Sequence, residues 1–542
     1  MRLPPLILSA PLLEPLLCFV DGLADGGTGC AAVLTLRVTS EHRAFKARWR
    51  SASTELRALP PPAGLGMAIS RANGATRRRT RANTAGAVMT WHFWAMASRP
   101  SVAVVGGGIA GCLASLVLRS RGLRPTIFDA GRRNAGGRLL GGRHPDSGVQ
   151  FLRATEAPFA AIMHMLSREG LVAPWRGRFG VLGSQGGGFL SAAVLANTPI
   201  GGMLREAGEE GGSGTVNFCG FLGGDLQQHP LYVGTPSNAH VLSGLCAAAN
   251  IDVVLGARVS GVERISHASS GDGSGGDGDS GGHAAWRVLI DGADDANAQA
   301  PFDALVLASH DAALAAAALR TAVLPSLQDA PESSSRLSQL VDALQAQREE
   351  RTSAAFTWSG YFAPGLSERV PFDAATVPAS PVVRFLARDA SKPGRPAVVP
   401  IPGEGGGEAE LWTAVSTAQF ADTMLARESL ASGESGDSDK GGGAASAASA
   451  AMSAEVGRLL APYAASADGI GPVPLRASAK RWGAGFAAGT LGLQEECVSL
   501  EPWRLAIAGD YLSAERASPA EAAAVSGMEA AERVASWFER PE

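Results

Sequence analysis

Residues Ser101–Arg138 constrain the fold of this chain more than any other stretch. An apolar run, Val102–Val105, leads directly into Gly106-Gly107-Gly108-Ile109-Ala110-Gly111, which is followed by a segment of helical periodicity and a second apolar run, Thr126–Phe128. A strand, a glycine-rich turn, a helix and a second strand in this order form the βαβ unit that binds dinucleotides. The stretch therefore predicts a parallel sheet with a nucleotide site at the glycine turn.

Three glycines of this turn have separate tasks. Gly106 permits the tight exit from the strand, Gly108 lets a pyrophosphate approach the backbone, and Gly111 lets the helix pack closely on the strand. Ile109 and Ala110 open the helix, whose first N–H groups and positive dipole end favour an anion. All five residues belong to the predicted cofactor-binding set.

Asp129 ends the second strand 23 residues after Gly106. A carboxylate about 20 residues after the first glycine accepts a hydrogen bond from the ribose 2′-OH, and it would repel a 2′-phosphate. Asp129 therefore predicts FAD or NAD rather than NADP, and its neighbour Ala130 is included in the predicted cofactor-binding set. In a chain with 68 glycines such a loop could arise from composition alone, but here the flanking strand, helix and acid all fit the mechanism.

The length and charge of the chain exclude several other classes. With 542 residues, 46% of them hydrophobic and 18% charged, the chain suits a soluble globular enzyme of two or three domains. A formal net charge of −4 gives no indication of a nucleic-acid partner. The six cysteines lack C-x-x-C spacing, so we predict no metal site and no disulfide framework, and a reducing compartment fits best.

Residues 1–98 differ in composition from the rest. The first hundred residues contain 13 Arg or Lys against five acids, which resembles an organellar transit segment. The apolar start, Leu3–Val20, could instead be a secretory h-region, although Glu14 and four prolines make it too broken for a membrane span. Alternatively, the native protein begins at Met96. We therefore expect a targeting-like or disordered extension and a chloroplast or mitochondrial location, or a cytoplasmic location if the chain starts at Met96.

Two short elements follow the βαβ unit, Gly136-Gly137-Arg138 and the Asp146–Phe151 segment of pattern D-x-G-x-Q-F. With them the chain resembles the FAD-dependent amine oxidase superfamily and, more narrowly, the renalase-like flavoproteins. The resemblance implies that Gly137 and Arg138 lie along the diphosphate and ribityl chain of the cofactor, where a guanidinium pairs well with phosphate oxygens. It also adds Gln150 and Phe151 to the predicted cofactor-binding set.

Elements far along the chain extend the resemblance. It implies that Gly509-Asp510, after the apolar run Leu505–Ala508, contacts the ribityl and diphosphate region, and that Ser526-Gly527 in the last helix belongs to the same site. It further implies that the backbone of Val259 contacts adenine. A distant second cofactor element suits a longer ligand, so we predict FAD rather than NAD. The family's usual cysteine context for a covalent flavin is absent, so we expect the FAD to be bound non-covalently.

The predicted fold is α/β with an α+β substrate domain. A Rossmann-like FAD/NAD(P)-binding domain is expected from the discontinuous segments 99–165, 245–318 and 470–538, and a second, mixed-sheet substrate domain from 166–244 and 319–469. Two Gly- and Ser-rich stretches, 266–282 and 432–453, are typical of flexible inserts. Two strands are expected at Ile251–Leu255 and Arg258–Val262, and the first insert is expected to extend a hairpin loop between Val262 and the strand Trp286–Ile290.

Two further segments bear on the chemistry. Asp389-Ala390-Ser391-Lys392-Pro393-Gly394-Arg395 contains a type II turn signal; its cations could form a solvated hairpin tip, but its similarity to an S-K-P-G-R turn of renalase-like proteins favours a structural or substrate-edge use. Residues 480–486, KRWGAGF, keep Arg481 and Trp482 but depart from the family pattern H-R-W-R-Y-A. This departure weakens any transfer of the family's substrate, because the resemblance implies that the segment lies near the flavin.

Three hypotheses of function follow. The first is a renalase-like FAD-dependent oxidoreductase that takes hydride from a small-molecule donor, such as a dihydronicotinamide nucleotide isomer, and is reoxidised by O₂. The second is an amine or isoprenoid-type flavin oxidase of the wider superfamily, and the third is a non-catalytic FAD-binding protein. No catalytic side chain is assigned, no transmembrane segment is expected, and no sequence feature fixes an oligomeric state.

Overall fold

The computed structural model describes residues 99–539 except 141–145, 184–187, 193–228, 266–284, 293–299, 328–329, 351, 404–406, 436–442, 465–468, 488 and 514–517. The predicted extension, residues 1–98, and the first predicted insert, residues 266–282, lie outside the described residues.

The described residues form nineteen strands and nine α-helices. The strands are β1 (Ser101–Val105), β2 (Arg124–Asp129), β3 (Leu152–Arg153), β4 (Val172–Trp175), β5 (Phe179–Leu182), β6 (Phe189–Ser191), β7 (Leu231–Gly234), β8 (Asp252–Leu255), β9 (Val259–Ile265), β10 (Ala285–Ile290), β11 (Ala304–Leu307), β12 (Thr352–Phe362), β13 (Ala374–Thr376), β14 (Val383–Arg388), β15 (Val399–Pro400), β16 (Glu408–Ser416), β17 (Arg476–Ala487), β18 (Val498–Leu500) and β19 (Leu505–Ile507). The α-helices are α1 (Ile109–Ser120), α2 (Ala157–Arg168), α3 (Asn238–Ala248), α4 (Ala312–Ala318), α5 (Pro331–Glu350), α6 (Leu366–Arg369), α7 (Ala418–Ser435), α8 (Gly443–Ala464) and α9 (Pro519–Ser536).

A six-stranded sheet forms the first layer, in the order β18-β19-β11-β1-β2-β8. All neighbours pair in parallel except β18, which pairs antiparallel with β19 at the edge. The central strand β1 is apolar and buried along Val102–Val105 because helices cover both faces of such a sheet. The predicted Rossmann-like α/β fold is therefore confirmed, with strands drawn from four separate stretches of the chain.

The order of these strands places the site. From β1 the chain moves to β2 on one side, while β11 lies on the other side of β1. Parallel α/β sheets bind ligands at the carboxyl ends of strands where the direction of winding changes. The glycine turn after β1 lies at this point.

A second, mixed sheet runs in the order β17-β12-β16-β14-β13-β5-β6, with β15 paired to β16. Its core contains fully buried aromatic rings, among them Phe356, Trp358 and Trp412. This confirms a second, mixed-sheet element. Strand β17 pairs with β12 in this sheet, although it follows residue 470, where the third cofactor-binding segment is predicted to begin. The domain boundaries themselves stay predictions.

Both strands expected over residues 251–262 are present, as β8 and β9, but they do not pair with each other. Strand β8 pairs in parallel with β2 at the edge of the six-stranded sheet, whereas β9 forms an antiparallel hairpin with β10. Gly256, with φ of 71°, turns the chain between the two sheets. The hairpin expected between the strand that includes Val262 and the strand Trp286–Ile290 is therefore confirmed.

The second predicted insert is largely helical. Helices α7 and α8 occupy most of residues 432–453, apart from 436–442, which lie outside the described residues. Ala448 and Met452 of α8 are buried against the core of the mixed sheet. An alanine-rich sequence has a high intrinsic helix propensity, and this buried face turns a stretch of low complexity into a packed helix.

Within the part of the chain that the structure describes, no helix has both the length and the apolarity needed to cross a membrane.

Candidate cofactor-binding site

A cavity of about 630 Å³ opens beside the glycine turn. Its wall combines the carboxyl ends of β1, β2 and β11 with residues of β9, β14 and β17 and with the turn after β19. Most of the predicted cofactor-binding residues line it, and these are Gly106, Gly108, Ile109, Ala110, Asp129, Ala130, Gly137, Arg138, Gln150, Phe151, Val259, Gly509 and Asp510. The fold therefore brings together residues that lie up to about 400 positions apart in the sequence, from Gly106 to Asp510.

The glycine turn has the conformation that its sequence predicts. Gly106 has φ of 106°, and a Cβ there would lie 2.7 Å from the carbonyl oxygen of Ala308. Gly108 is different, because a Cβ on it would have no protein atom within 4 Å. Gly108 also lines the cavity, so the space beside it is open to a ligand.

Three predicted site residues lie behind the wall rather than in it. A Cβ on Gly111 would lie 1.9 Å from the Gly106 carbonyl oxygen, and one on Gly527 would lie 2.2 Å from that of Ala110. Ser526 is buried, and its hydroxyl accepts a hydrogen bond of 3.0 Å from the backbone N–H of Gly509. These residues set the close approach of α1, α9 and the turn after β19, and so position residues that do face the cavity.

Asp129 is held by the backbone. Its two carboxylate oxygens accept hydrogen bonds of 2.7 Å from the N–H groups of Gly107 and Gly131. A carboxylate has about four acceptor sites, so these two bonds fix the side chain at the cavity wall and leave sites for a further hydroxyl donor.

Arg138 and Asp510 meet across the site. Two guanidinium nitrogens of Arg138 each donate to one carboxylate oxygen of Asp510, both at 2.8 Å. Asp510 is nearly fully buried, while a quarter of the Arg138 side chain is exposed. The sequence predicts both residues as cofactor contacts but holds no sign that they bind each other over 372 positions.

Gln150 lines the cavity, but protein groups already saturate its amide. Its oxygen accepts from Lys392 Nζ at 3.3 Å and from Thr413 Oγ1 at 2.8 Å. Its nitrogen donates to the carbonyl oxygens of Asp146 and, at 3.1 Å, Gly148. The glutamine therefore shapes the loop that forms this wall and has no amide hydrogen or oxygen lone pair to spare.

Beneath that loop lies a buried charge cluster of Asp146, Asp389, Lys392 and Arg395. Asp146 Oδ2 lies 3.1 Å from Lys392 Nζ and 2.7 Å from Arg395 Nη2, and Lys392 Nζ lies 3.5 Å from Asp389 Oδ1. Lys392 is only 1% exposed, which excludes a solvated hairpin tip and supports a structural use of this turn. Gly394, with φ of 77°, forms the bend that the Pro-Gly pair predicts.

The pKa values of the two acids of the cluster shift in opposite directions. Burial raises the pKa of Asp146, but the adjacent Lys392 and Arg395 outweigh it and hold that pKa below its ordinary value. For Asp389, burial together with the nearby Asp146 charge outweighs the same cations and raises the pKa. The sequence signal for the cluster was the pair of cations beside an aspartate in Asp389–Arg395, but its partner Asp146 lies 246 residues away from Lys392.

Strand β17 also contributes to the cavity wall. Trp482 Nε1 donates to the Ser147 carbonyl oxygen at 2.8 Å, and Lys480 Nζ lies 3.8 Å from the centroid of the Trp482 ring. Burial lowers the pKa of Lys480, and the Arg133 cation lowers it further. The sequence resemblance implies that this segment lies near the flavin, but Lys480 is not among the predicted cofactor-binding residues.

His310 also lines the cavity, although no motif in the sequence points to it as a site residue. Burial lowers its pKa, and the Arg138 cation acts in the same direction. The neutral imidazole is therefore favoured at this position.

Residues 104–167 match the family model of an NAD(P)-binding Rossmann-like domain. No curated protein matches the chain. The fold and the matched segment together define an α/β protein with a dinucleotide-binding βαβ unit.

Solved structures with a similar fold include an oxidoreductase from Methanosarcina mazei, at 13% identity and a TM-score of 0.48 over 79% of this chain and all of that one. Cyclohexylamine oxidase from Brevibacterium oxydans has 13% sequence identity and a TM-score of 0.47, over 82% of this chain and all of that one. A double mutant of putrescine oxidase has 13% sequence identity and a TM-score of 0.47, over 80% of this chain and 99% of that one. At these values the likeness carries no argument about the chemistry of this chain.

Proposed function

We propose that this protein is an FAD-dependent oxidoreductase. The observation that carries the proposal is the make-up of the cavity wall, which runs from the glycine turn and Asp129 to Gly137, Arg138 and the distant Gly509-Asp510. A mononucleotide site needs only the first βαβ unit and its neighbours, whereas a wall that continues along the turn after β19 suits an extended dinucleotide such as FAD.

The residues present fit such a cofactor. The open space beside Gly108 at the start of α1 suits a diphosphate, because the first N–H groups of a helix have no partner within it. Asp129 retains acceptor sites for ribose hydroxyls. A bound flavin would supply the redox chemistry by accepting hydride, while this chain's own residues bind and orient it and shield it from water.

More specifically, we propose renalase-like chemistry with a dihydronicotinamide nucleotide isomer as donor and O₂ as acceptor. The support is the sequence resemblance at Gly136–Arg138, Asp146–Phe151 and Asp389–Arg395. Against a direct transfer of substrate stands the altered segment 480–486, which forms part of the cavity wall through Lys480–Gly483.

The test begins with the absorption spectrum of the purified protein, before and after reconstitution with FAD. We expect a flavin spectrum, release of intact FAD on denaturation, and anaerobic bleaching by one class of donor. Bleaching by amines alone would place the protein with amine-type flavin oxidases, and bound flavin that no donor reduces would indicate a non-catalytic FAD-binding protein. A protein that binds NAD but not FAD would overturn the proposal.

A further inference from the structure

The charges on the cavity wall are not evenly paired. Three acids line it, and each already has partners. Asp510 binds Arg138, and Asp129 accepts from two backbone N–H groups. Asp311 lies 3.3 Å from Arg348 and accepts from the N–H of Ala313. All three carboxylates are therefore already engaged, although Asp129 keeps acceptor sites that suit ribose hydroxyls.

Lys480 is in the opposite situation. Among the described residues, no carboxylate lies within ion-pair distance of its ammonium, which instead lies 3.8 Å from the centroid of the Trp482 ring. The one charged neighbour that shifts its pKa is another cation, Arg133, and it shifts that pKa downward, as burial does. A half-buried ammonium beside a second cation lacks the counter-charge that would stabilise it.

We infer that Lys480 and Trp482 form an anion-binding element of the cavity, which holds a phosphate or carboxylate of the bound ligand. An ammonium has three donors, and contact with the ring face leaves donors for an anion. Trp482 is itself fixed by its bond to the Ser147 carbonyl, so the ring holds the lysine in place. Arg133, exposed in the turn after β2, adds a second positive charge on the same side.

This inference deepens the proposed function and rests on it for the identity of the ligand. The anion has two sources, the diphosphate of the cofactor or an acidic group of the electron donor. If it belongs to the donor, the element selects anionic donors over neutral ones and disfavours protonated amines, because like charges repel across a partly desolvated wall.

The experiment compares the full-length wild type with Lys480→Met, Lys480→Arg and Arg320→Met. Lys480→Met removes the charge and keeps most of the stem, and Lys480→Arg retains the charge. Arg320 is exposed and outside the cavity wall, so Arg320→Met controls for the loss of one positive charge. Three probes are titrated: FAD, inorganic pyrophosphate, and a pair of donors with the same reacting ring, borohydride-reduced nicotinamide mononucleotide and its neutral N-benzyl analogue.

If the donor supplies the anion, Lys480→Met raises KM for the reduced mononucleotide about tenfold, the loss of one charge-assisted contact, and leaves the benzyl analogue within about twofold. If the cofactor supplies it, the Kd of FAD rises about tenfold and the ratio between the two donors stays unchanged. In both cases Lys480→Arg and Arg320→Met remain close to wild type.

The inference is overturned if Lys480→Met binds FAD, pyrophosphate and the reduced mononucleotide as tightly as wild type does. Failure of the proposed function gives a different result, since wild type then binds no FAD or no donor bleaches it. In that case calorimetry with pyrophosphate still decides the inference: weaker binding to Lys480→Met than to wild type and to Lys480→Arg supports it, and equal or absent binding overturns it.

Discussion

The two walls of the cavity are built in opposite ways. The wall at the glycine turn consists of backbone, and its parts, Gly106–Gly111 and Asp129, lie within 24 consecutive residues. The wall at the Asp146–Phe151 loop depends on buried side chains, and the buried charge cluster beneath it joins residues from distant parts of the chain. At the backbone wall an added methyl group either meets a main-chain atom or fills space that is open to a ligand, whereas the side-chain wall tolerates no unbalanced charge.

Removal of one charge from the buried cluster should have the largest effect on stability, and it tests whether the side-chain wall depends on balanced charge. In Lys392→Met, Asp146 and Asp389 share a single remaining cation, Arg395, and loss of one partner from a buried ion pair costs about 3 to 5 kcal/mol. The free energy of unfolding, measured in urea, should fall by this amount.

The control is the double variant Asp389→Asn/Lys392→Met, which leaves Asp146 paired with Arg395. It should be more stable than Lys392→Met alone, because it carries no uncompensated buried charge. If the two substitutions are additive, the four groups do not act as a cluster.

The glycine turn gives a matched pair of variants with smaller effects. In Gly111→Ala the new methyl would meet the Gly106 carbonyl oxygen at 1.9 Å, so we expect a loss of stability of about 1 to 3 kcal/mol from overpacking. In Gly108→Ala the methyl meets no protein atom, and the extended conformation of Gly108, with φ of −74°, accepts alanine. We expect Gly108→Ala to change stability by about 1 kcal/mol or less, the scale of an N-cap substitution.

The effects on FAD binding should have the opposite order, with the larger effect in Gly108→Ala. Gly108→Ala places its methyl in the open space of the cavity, so the Kd of FAD should rise at least about tenfold, a loss of about 1.4 kcal/mol. Thermal unfolding and a flavin titration of both variants test the separation. Equal FAD affinity in Gly108→Ala and wild type would show that no ligand approaches the backbone there.

The same contrast explains how far sequence reasoning reached. The parallel sheet and the glycine turn could be predicted because a strand, a turn, a helix and an acid follow one another in the sequence. The local backbone geometry explains why each of these residue types is needed at its position. The bond between Arg138 and Asp510, the saturation of Gln150 and the position of Lys480 could not, because each depends on which side chains the tertiary fold brings together. Helix α8 was missed because composition alone does not show that Ala448 and Met452 find a buried face.

The smallest expected effect is a pH dependence confined to the charge cluster. The pKa of Asp389 is raised in the folded protein, mainly by burial and also by the Asp146 charge, against the attraction of Lys392 and Arg395. A carboxyl whose folded pKa exceeds its unfolded value binds a proton more tightly when folded, so it adds stability as the pH falls through the folded pKa towards about 4. The Asp389→Asn variant has no titratable group at this position and lacks this gain.

The free energy of unfolding of wild type relative to Asp389→Asn should therefore increase as the pH falls from about 7 towards about 4. Asp146 affects stability in the opposite sense. Lys392 and Arg395 hold its folded pKa below the ordinary value, so its carboxylate stabilises the folded protein at neutral pH, and this stabilisation is lost only as the pH falls towards that low folded pKa. Urea unfolding of both proteins across this range measures the difference directly. A difference that stays constant would mean that Asp389 titrates alike in the folded and unfolded chains, and that burial at this wall does not perturb its charge.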